Sequence, residues 1–319
     1  MDALYIQLHF ELERFKATPK SIKTLFIGGG TPSTVSPELY APIFALLAPY
    51  LDDNAEITTE ANPNSATETW LKGMKDLGVN RVSFGVQSFD DEKLKALNRA
   101  HSPQQAKEAI VTAKELGFEH LSLDLIYNYQ GDSKTLLLKD IKKAFELPVD
   151  HISAYELTIE DNTKFSSTPE VRQEDENLAF FVADEIKKRG FTQYEISNFG
   201  KYQSRHNKGY WELENYIGAG AGAVGFLEKI RYYPQTQIEA YIQNPLKITE
   251  EHLTEDELLT EKIFLGLRSS IGIEKSLLSE KMIQKANILC DAGKLHSTEA
   301  YFYNDNFFLS DELVLFLLE

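Results

Sequence analysis

The chain has 319 residues, a length that suits two domains or one barrel with an appendage, and its hydrophobic fraction of 42% is enough for a packed core. A formal net charge of −16 argues against non-specific binding to nucleic acid or to an anionic membrane. Cys290 is the single cysteine, which excludes disulfides and a multi-cysteine metal site within these residues.

Residues 2–16 place Leu4, Leu8, Leu12 and Phe15 at helical spacing with acidic residues between them, which predicts an amphipathic helix. Asp2 and Glu11 stand where a signal peptide would be basic, and no run of 18 apolar residues occurs, so a cytoplasmic protein is expected. Leu25, Phe26 and Ile27 read as a strand buried on both faces, stopped by Gly28, Gly29 and Gly30. Glycines free the backbone for positive φ and for close approach by a ligand. Thr31 adds a hydroxyl, and Ser36-Pro37 reads as the start of a helix over 37–50. Such a strand-to-helix loop is either a ligand cradle of main-chain N–H groups or a plain tight turn.

Strands follow at 56–60, 81–84, 121–126 and 151–155. Between them the pattern predicts helices at 66–77 (closed by Gly78), 90–98, 103–116 (closed by Gly117) and 133–146 (stopped by Pro148). Five strands, each followed by a helix, imply parallel pairing with right-handed crossovers, in an open doubly wound sheet or a (β/α) barrel. Nearly every strand ends in polar residues: Glu60-Ala61-Asn62, Gly85-Val86-Gln87-Ser88, and Glu156 through Thr158. Asp124 sits inside its strand, where a carboxylate is costly unless it is bonded or faces a site. That distribution suits a barrel with its site at the carboxyl ends of the strands, although Asn62 and Ser88 could simply cap helices.

A second segment starts near 160 with a helix predicted at 171–189. Tyr194-Glu195-Ile196-Ser197-Asn198-Phe199 and then Ser204-Arg205-His206-Asn207-Lys208-Gly209-Tyr210-Trp211 are dense in side chains that do chemistry or stack on flat ligands. Gly220, Gly222 and Gly225 spell G-x-G-x-x-G, but extended Lys229-Ile230-Arg231-Tyr232-Tyr233 follows instead of a helix, which argues against a dinucleotide site. From about 250 a small module is expected: a capping box at Thr254 and Glu257 opens helix 255–268, Ser279 caps another helix, a hairpin turns at Asn304-Asp305, and a last helix follows. The order suggests a winged helix, yet the module is not basic, which favours a structural or docking role over DNA binding. The expected divisions are 1–165, 166–248 and 249–319.

These motifs resemble a known family. The Gly28-Gly29-Gly30-Thr31-Pro32-Ser33 segment, Glu60-Ala61-Asn62-Pro63, Ser83-Phe84-Gly85-Val86-Gln87-Ser88-Phe89, Leu97-Asn98-Arg99-Ala100-His101 and Asp124-Leu125-Ile126-Tyr127 are similar to radical S-adenosylmethionine (SAM) proteins related to oxygen-independent coproporphyrinogen III oxidase. Tyr194 through Phe199 and His206-Asn207-x-x-Tyr210-Trp211 resemble its haem-chaperone branch, and the resemblance continues into the C-terminal domain at Phe264-Leu265-Gly266-Leu267-Arg268.

The resemblance implies an α/β fold: a partial (β/α)6 barrel whose first strand is missing, with a small helical, winged-helix-like C-terminal domain. It implies SAM contacts from Gly29, Gly30, Thr31, Glu60, Gln87, Arg99, Asp124, Thr158 and Val224, and haem contacts from His206, Asn207, Tyr210 and Trp211, with His206 as a ligand for iron. The expected function is haem binding and delivery to acceptor proteins, respiratory enzymes among them. No nucleic-acid partner and no membrane segment are expected. Rival readings are a coproporphyrinogen III decarboxylase and a cluster-less remnant that binds haem, SAM or neither. The family's Cys-x3-Cys-x2-Cys loop for a [4Fe–4S] cluster, which in relatives precedes the helix that opens this sequence, is absent, so either a late start at Met1 truncates the product or the true protein is longer. Tyr127-Asn128-Tyr129-Gln130-Gly131 also departs from the relatives' usual Tyr-Gly-Leu-Pro-Gly.

Overall fold

The computed structural model describes residues 1–159 and 168–319. They form two compact units, one of Thr24–Ala41 and Asn54–Gln203, the other of Met1–Lys23, Pro42–Asp53 and Ser204–Glu319. The division expected after residue 165 lies outside the described residues.

The first unit carries a seven-stranded sheet: β1 (Ile22–Ile27), β2 (Leu51–Ala61), β3 (Arg81–Gln87), β4 (His120–Tyr127), β5 (His151–Glu156), β6 (Thr192–Gln193) and β7 (Asn198–Gly200), in the order β1-β2-β3-β4-β5-β7-β6. From β2 to β5 the pairing is parallel, with Thr58 opposite Arg81, Ser83 opposite Ser122 and Asp124 opposite Ser153. β7 runs antiparallel to both of its neighbours. The sheet is thus α/β and mainly parallel, as expected. β1 lies at one edge and is half-buried, not covered on both faces, because in the described sheet it has β2 alone beside it.

Alternating side chains divide the sheet into two chemically distinct faces. Val82, Phe84, Leu121, Leu123, Ile152 and Ala154 are buried on one face. The crossover helices α3 (Glu68–Asp76), α4 (Asp91–Ala96), α5 (Pro103–Glu115) and α6 (Lys134–Phe145) connect the parallel strands, and α5 and α6 pack on this face. Each helix starts at a polar cap: Thr67, Asp90, Ser102 (a full capping box with Gln105) and Ser133. The other face presents Arg81, Ser83, Ser122, Asp124, His151 and Ser153. The helix expected over 171–189 is confined to α7 (Glu176–Lys187), because Asp175 accepts from the Asn177 N–H and caps it there.

The second unit contains α1 (Asp2–Arg14), α8 (Arg205–Trp211), α9 (Ile238–Gln243) and the antiparallel sheet β10-β9-β8, formed by β8 (Gly225–Leu227), β9 (Ile230–Pro234) and β10 (Ile248–His252). α2 (Pro37–Leu47) bridges the sequence division at residues 41–42. Gly225 opens a strand, so the G-x-G-x-x-G spelling does not precede a helix. Gln7 of α1 is buried and grips the glycine segment: its Nε2 donates to Gly218 O at 3.2 Å and its Oε1 accepts the Gly220 N–H at 2.9 Å. A Cβ on Gly218 would lie 2.1 Å from Val224 O, so close main-chain packing accounts for glycine there.

Residues beyond 254 build a core of their own from Ile263, Leu267, Ala286, Leu289, Phe302 and Leu313. They lie on or beside α10 (Glu255–Leu267), α11 (Glu280–Asp291), α12 (Ser310–Leu318) and a sheet ordered β11-β13-β12, from β11 (Ile273–Glu274), β12 (His296–Ser297) and β13 (Tyr301–Tyr303). Both halves of the Thr254–Glu257 capping box are made, and Ser279 caps α11. The hairpin does not turn at Asn304-Asp305: β12 and β13 pair across residues 298–300, and buried Asn304 donates instead to Leu267 O at the end of α10, 2.8 Å away. Among the described residues no helix is long and apolar enough to cross a membrane.

Candidate functional site

The glycine loop after β1 holds Gly29 and Gly30 at φ of +78° and +69°, conformations that a side chain would strain, and a Cβ on either would meet nothing within 4 Å. The loop therefore offers main chain to open space. Its Gly29 N–H donates to Glu60 Oε2 at the end of β2, 3.2 Å away. Burial pushes the Glu60 carboxyl up, and this hydrogen bond opposes the push.

Asp124 is placed by the inward register of β4 and faces Ser83 of β3, whose hydroxyl donates to it at 3.4 Å. Burial pushes its carboxyl up to about 7; the charge of Glu60 adds to this, while Arg81 and the Ser83 and Ser153 hydroxyls oppose it. Arg99, just past α4, is lowered by burial and partly held up by the charge of Asp124. His101 fixes this turn through Nε2, 2.9 Å from Val86 O.

A second thread joins Thr31 to Asn62, near Gly85 and Gln87. Asn62 Nδ2 donates to Thr31 Oγ1 at 3.4 Å, and the Asn62 N–H to Ser33 Oγ at 3.0 Å. The register breaks between Phe84 and Gln87, and Gln87 takes φ +67°. That bulge turns its amide toward Gly85, where a Cβ would come within 3.1 Å of Gln87 Nε2 and 3.3 Å of Asn62 Oδ1. The structure thus joins Gly29 to Glu60, Glu60 to Asp124 and Asp124 to Arg99 through their charges, and Thr31 to Asn62, with Asn62 and Gln87 both beside Gly85. Thr158 lies exposed two residues past β5, and half-buried Val224 belongs to the other unit.

Sequence reading singled out Tyr194 through Asn198 but not Arg81, Ser122, His151 and Ser153, the polar residues beneath these strand ends. His151 is fully buried, with Nδ1 2.7 Å from Ser122 Oγ and Nε2 2.6 Å from the Tyr194 hydroxyl. Burial, with Arg81 nearby, lowers its pKa well below the ordinary value, so the ring is neutral. Buried Glu195 accepts from the Ser197 N–H and Asn198 Nδ2, and Ser153 donates to Asn198 Oδ1. The strict alternation in Arg81-Val82-Ser83-Phe84 and His151-Ile152-Ser153-Ala154 was the available signal. Tyr194 through Asn198 accordingly line the sheet's polar face, in the unit that does not contain α8.

In the second unit, α8 carries the His206-Asn207-x-x-Tyr210-Trp211 motif, capped by Ser204 through the Asn207 N–H. One helical turn brings His206 Nε2 within 2.9 Å of the Tyr210 hydroxyl. Burial pushes the Tyr210 phenol up to about 12, so at neutral pH it keeps its proton and can donate. Asn207 and Trp211 are half-buried.

The residues present fit SAM: two carboxylates short of counter-charge, an arginine and bare amides suit a zwitterionic sulfonium. They do not fit a [4Fe–4S] cluster. Cys290 stands alone on α11, and among the described residues no three His, Cys, Asp or Glu side chains are grouped to hold a metal ion.

The sequence model of the Radical SAM superfamily matches residues 8–144. The chain is 35% identical over 282 residues to Heme chaperone HemW of Lactococcus lactis subsp. lactis, covering 84% of this chain and 74% of that protein. It is 34% identical over 315 residues to Heme chaperone HemW of Bacillus subtilis, covering 90% and 83%. Among solved structures, the radical SAM enzyme coproporphyrinogen III oxidase (HemN) from Escherichia coli superposes with a TM-score of 0.81 at 18% identity, over 99% of this chain and 82% of that one, which shows the shared fold. With such identity over most of the length of these relatives, the chain belongs to the HemW haem-chaperone family of radical SAM proteins.

Proposed function

We propose that this protein binds haem through the face of α8 that carries His206 and Tyr210, with Asn207 and Trp211 beside them, and passes it to acceptor proteins. Two relatives named as haem chaperones, each matched over at least 74% of its length, support this reading. The observation that carries it is the His206–Tyr210 pair. With the Tyr210 hydroxyl as donor, the Nε2 lone pair accepts that hydrogen bond, and ligation of iron by Nε2 takes its place when haem binds. Neighbouring aromatic surface suits a porphyrin plane.

The strand ends of the first unit are proposed to hold SAM, with Gly29, Gly30, Thr31, Gln87 and Arg99 on its amino-acid carboxylate and polar edges and Glu60 and Asp124 facing its cationic groups. Thr158 joins that set only by resemblance to the family. SAM in this family supplies radical chemistry with a [4Fe–4S] cluster, whereas haem binding at α8 requires neither. Haem titration of the 319-residue protein, followed at the Soret band, tests the reading. His206→Ala is expected to weaken binding about ten-fold or more, with wild-type protein passing haem to an apo-haemoprotein in a mixing experiment. Equal titration curves for wild type and variant would remove His206 as the ligand.

A further inference from the structure

Gln87 takes φ +67° at the centre of a one-residue turn, in which the Ser88 N–H donates to Val86 O at 2.8 Å. A hydrogen bond from residue i+2 to residue i around a central residue of positive φ is a γ-turn of the rare, strained kind. Such a conformation is costly and persists only where its surroundings hold it. Two residues distant in sequence do so here. Upstream of the turn, Val86 O takes a second hydrogen bond, from His101 Nε2 at 2.9 Å. A carbonyl can only accept, so Nε2 carries the proton of that ring. Downstream, Asp140 of α6 accepts both groups that follow the turn, the Ser88 hydroxyl on Oδ2 and the Phe89 N–H on Oδ1, each at 2.7 Å. Ser88 Oγ in turn accepts the Asp90 N–H at 3.1 Å. Gln87, Ser88, His101 and Asp140 are all buried, and all belong to one compact unit.

We infer that His101 and Asp140 are positioning residues for the SAM site: gripping the chain on either side of Gln87, they hold its strained turn and so aim its amide at the ligand. The turn is what shifts the register between Phe84 and Gln87 and lays Gln87 Nε2 against Gly85, where a Cβ would come within 3.1 Å. A left-handed residue other than glycine relaxes once a better-populated backbone conformation is open to it, and its side chain then points elsewhere. His101 also stands two residues beyond Arg99, so its bond to Val86 O couples the segment that carries Arg99 to the strand that carries Gln87. Held in this way, both side chains meet SAM without an ordering cost at the moment of binding. Loss of either grip therefore weakens binding while leaving Gln87 and Arg99 themselves in place.

This inference rests on the assignment of SAM to the strand ends, and the test separates the two. SAM is titrated calorimetrically into the full 319-residue wild type and into Gln87→Ala, Ser88→Ala, Asp140→Asn, His101→Phe and His101→Gln, with thermal unfolding of each. Ser88→Ala removes one bond to Asp140 and keeps that carboxylate 4.0 Å from Lys93, so it tests the downstream grip with the buried charges intact. Ser88→Ala, Asp140→Asn and His101→Phe are each expected to weaken SAM binding about three- to ten-fold. His101→Gln, whose Nε2 can still donate to Val86 O, should recover part of the loss seen with His101→Phe. In a double-mutant cycle, Ser88→Ala and Asp140→Asn should cost less than about two-fold more once Gln87→Ala has removed the amide through which they act. Binding that is indifferent to Gln87→Ala, or losses of equal size with and without Gln87→Ala, would overturn the inference and leave the SAM assignment standing. Wild-type protein that takes up no SAM would overturn the assignment beneath it, and the inference with it.

Discussion

Burial pushes the Asp124 carboxyl up to about 7, and the charge of Glu60 at the end of the neighbouring β2 strengthens the push. The two acids therefore stand close to ionised like charges with Arg81 and two serine hydroxyls as partial relief. A cationic ligand removes this frustration, so SAM is expected to bind more tightly as pH rises through about 7, where the empty site loses its proton. Isothermal titration at several pH values checks this; Asp124→Asn should flatten the profile and cost about ten-fold in affinity at pH 8. Stability should move the opposite way. Between the ordinary carboxylate value of 3.8 and about 7 the folded state holds a proton that the unfolded state has released. Stability without ligand therefore falls as pH rises through that window, and the fall is smaller in Asp124→Asn.

Lys93 is fully buried and donates from Nζ to Asp132 at 2.7 Å and to Ile126 O at 2.6 Å, with Asp140 4.0 Å away. Asp140 in turn accepts from Ser88 Oγ and the Phe89 N–H, so this cluster ties the ends of β3 and β4 together. Lys93→Met leaves two buried carboxylates without their cation and should destabilise the protein by about 3–5 kcal/mol in urea unfolding. Lys93→Met combined with Asp132→Asn should recover part of that loss, since it removes one stranded charge. A single-variant cost below about 1 kcal/mol would contradict the pairing.

Gly30 adopts φ +69° with open space where a side chain would project. Gly30→Ala should cost about 1 kcal/mol of stability through backbone strain alone. SAM affinity, measured by titration, should fall beyond what that loss explains, because the added methyl occupies the approach to the amides.

The parallel sheet, its crossover helices and most caps were legible because each carries a local signal: Gly78 and Gly117 end helices in positive φ, and Ser102, Thr254 and Ser279 bond the N–H groups they precede. Asp124 was conspicuous as a charge inside an apolar run. Arg81 and His151 carry only the alternation of their strands as a signal, because the groups that satisfy His151, Ser122 and Tyr194, are brought to it by folding. The Asn304 turn was misplaced for a related reason: asparagine favours turns locally, but here its amide serves a carbonyl 37 residues earlier.

Gln7 grips main chain 211 and 213 positions further along, and Tyr241 adds a third bond to the same amide at 2.7 Å. The unit that contains α8 is consequently assembled from the two extremes of these 319 residues, with the parallel sheet made from the stretch between them. During synthesis the sheet has its strands available early, whereas the haem-motif unit must wait for the last of its partners to leave the ribosome. Until then Gln7 has no acceptor or donor to meet, so the unit proposed to hold haem matures after the sheet.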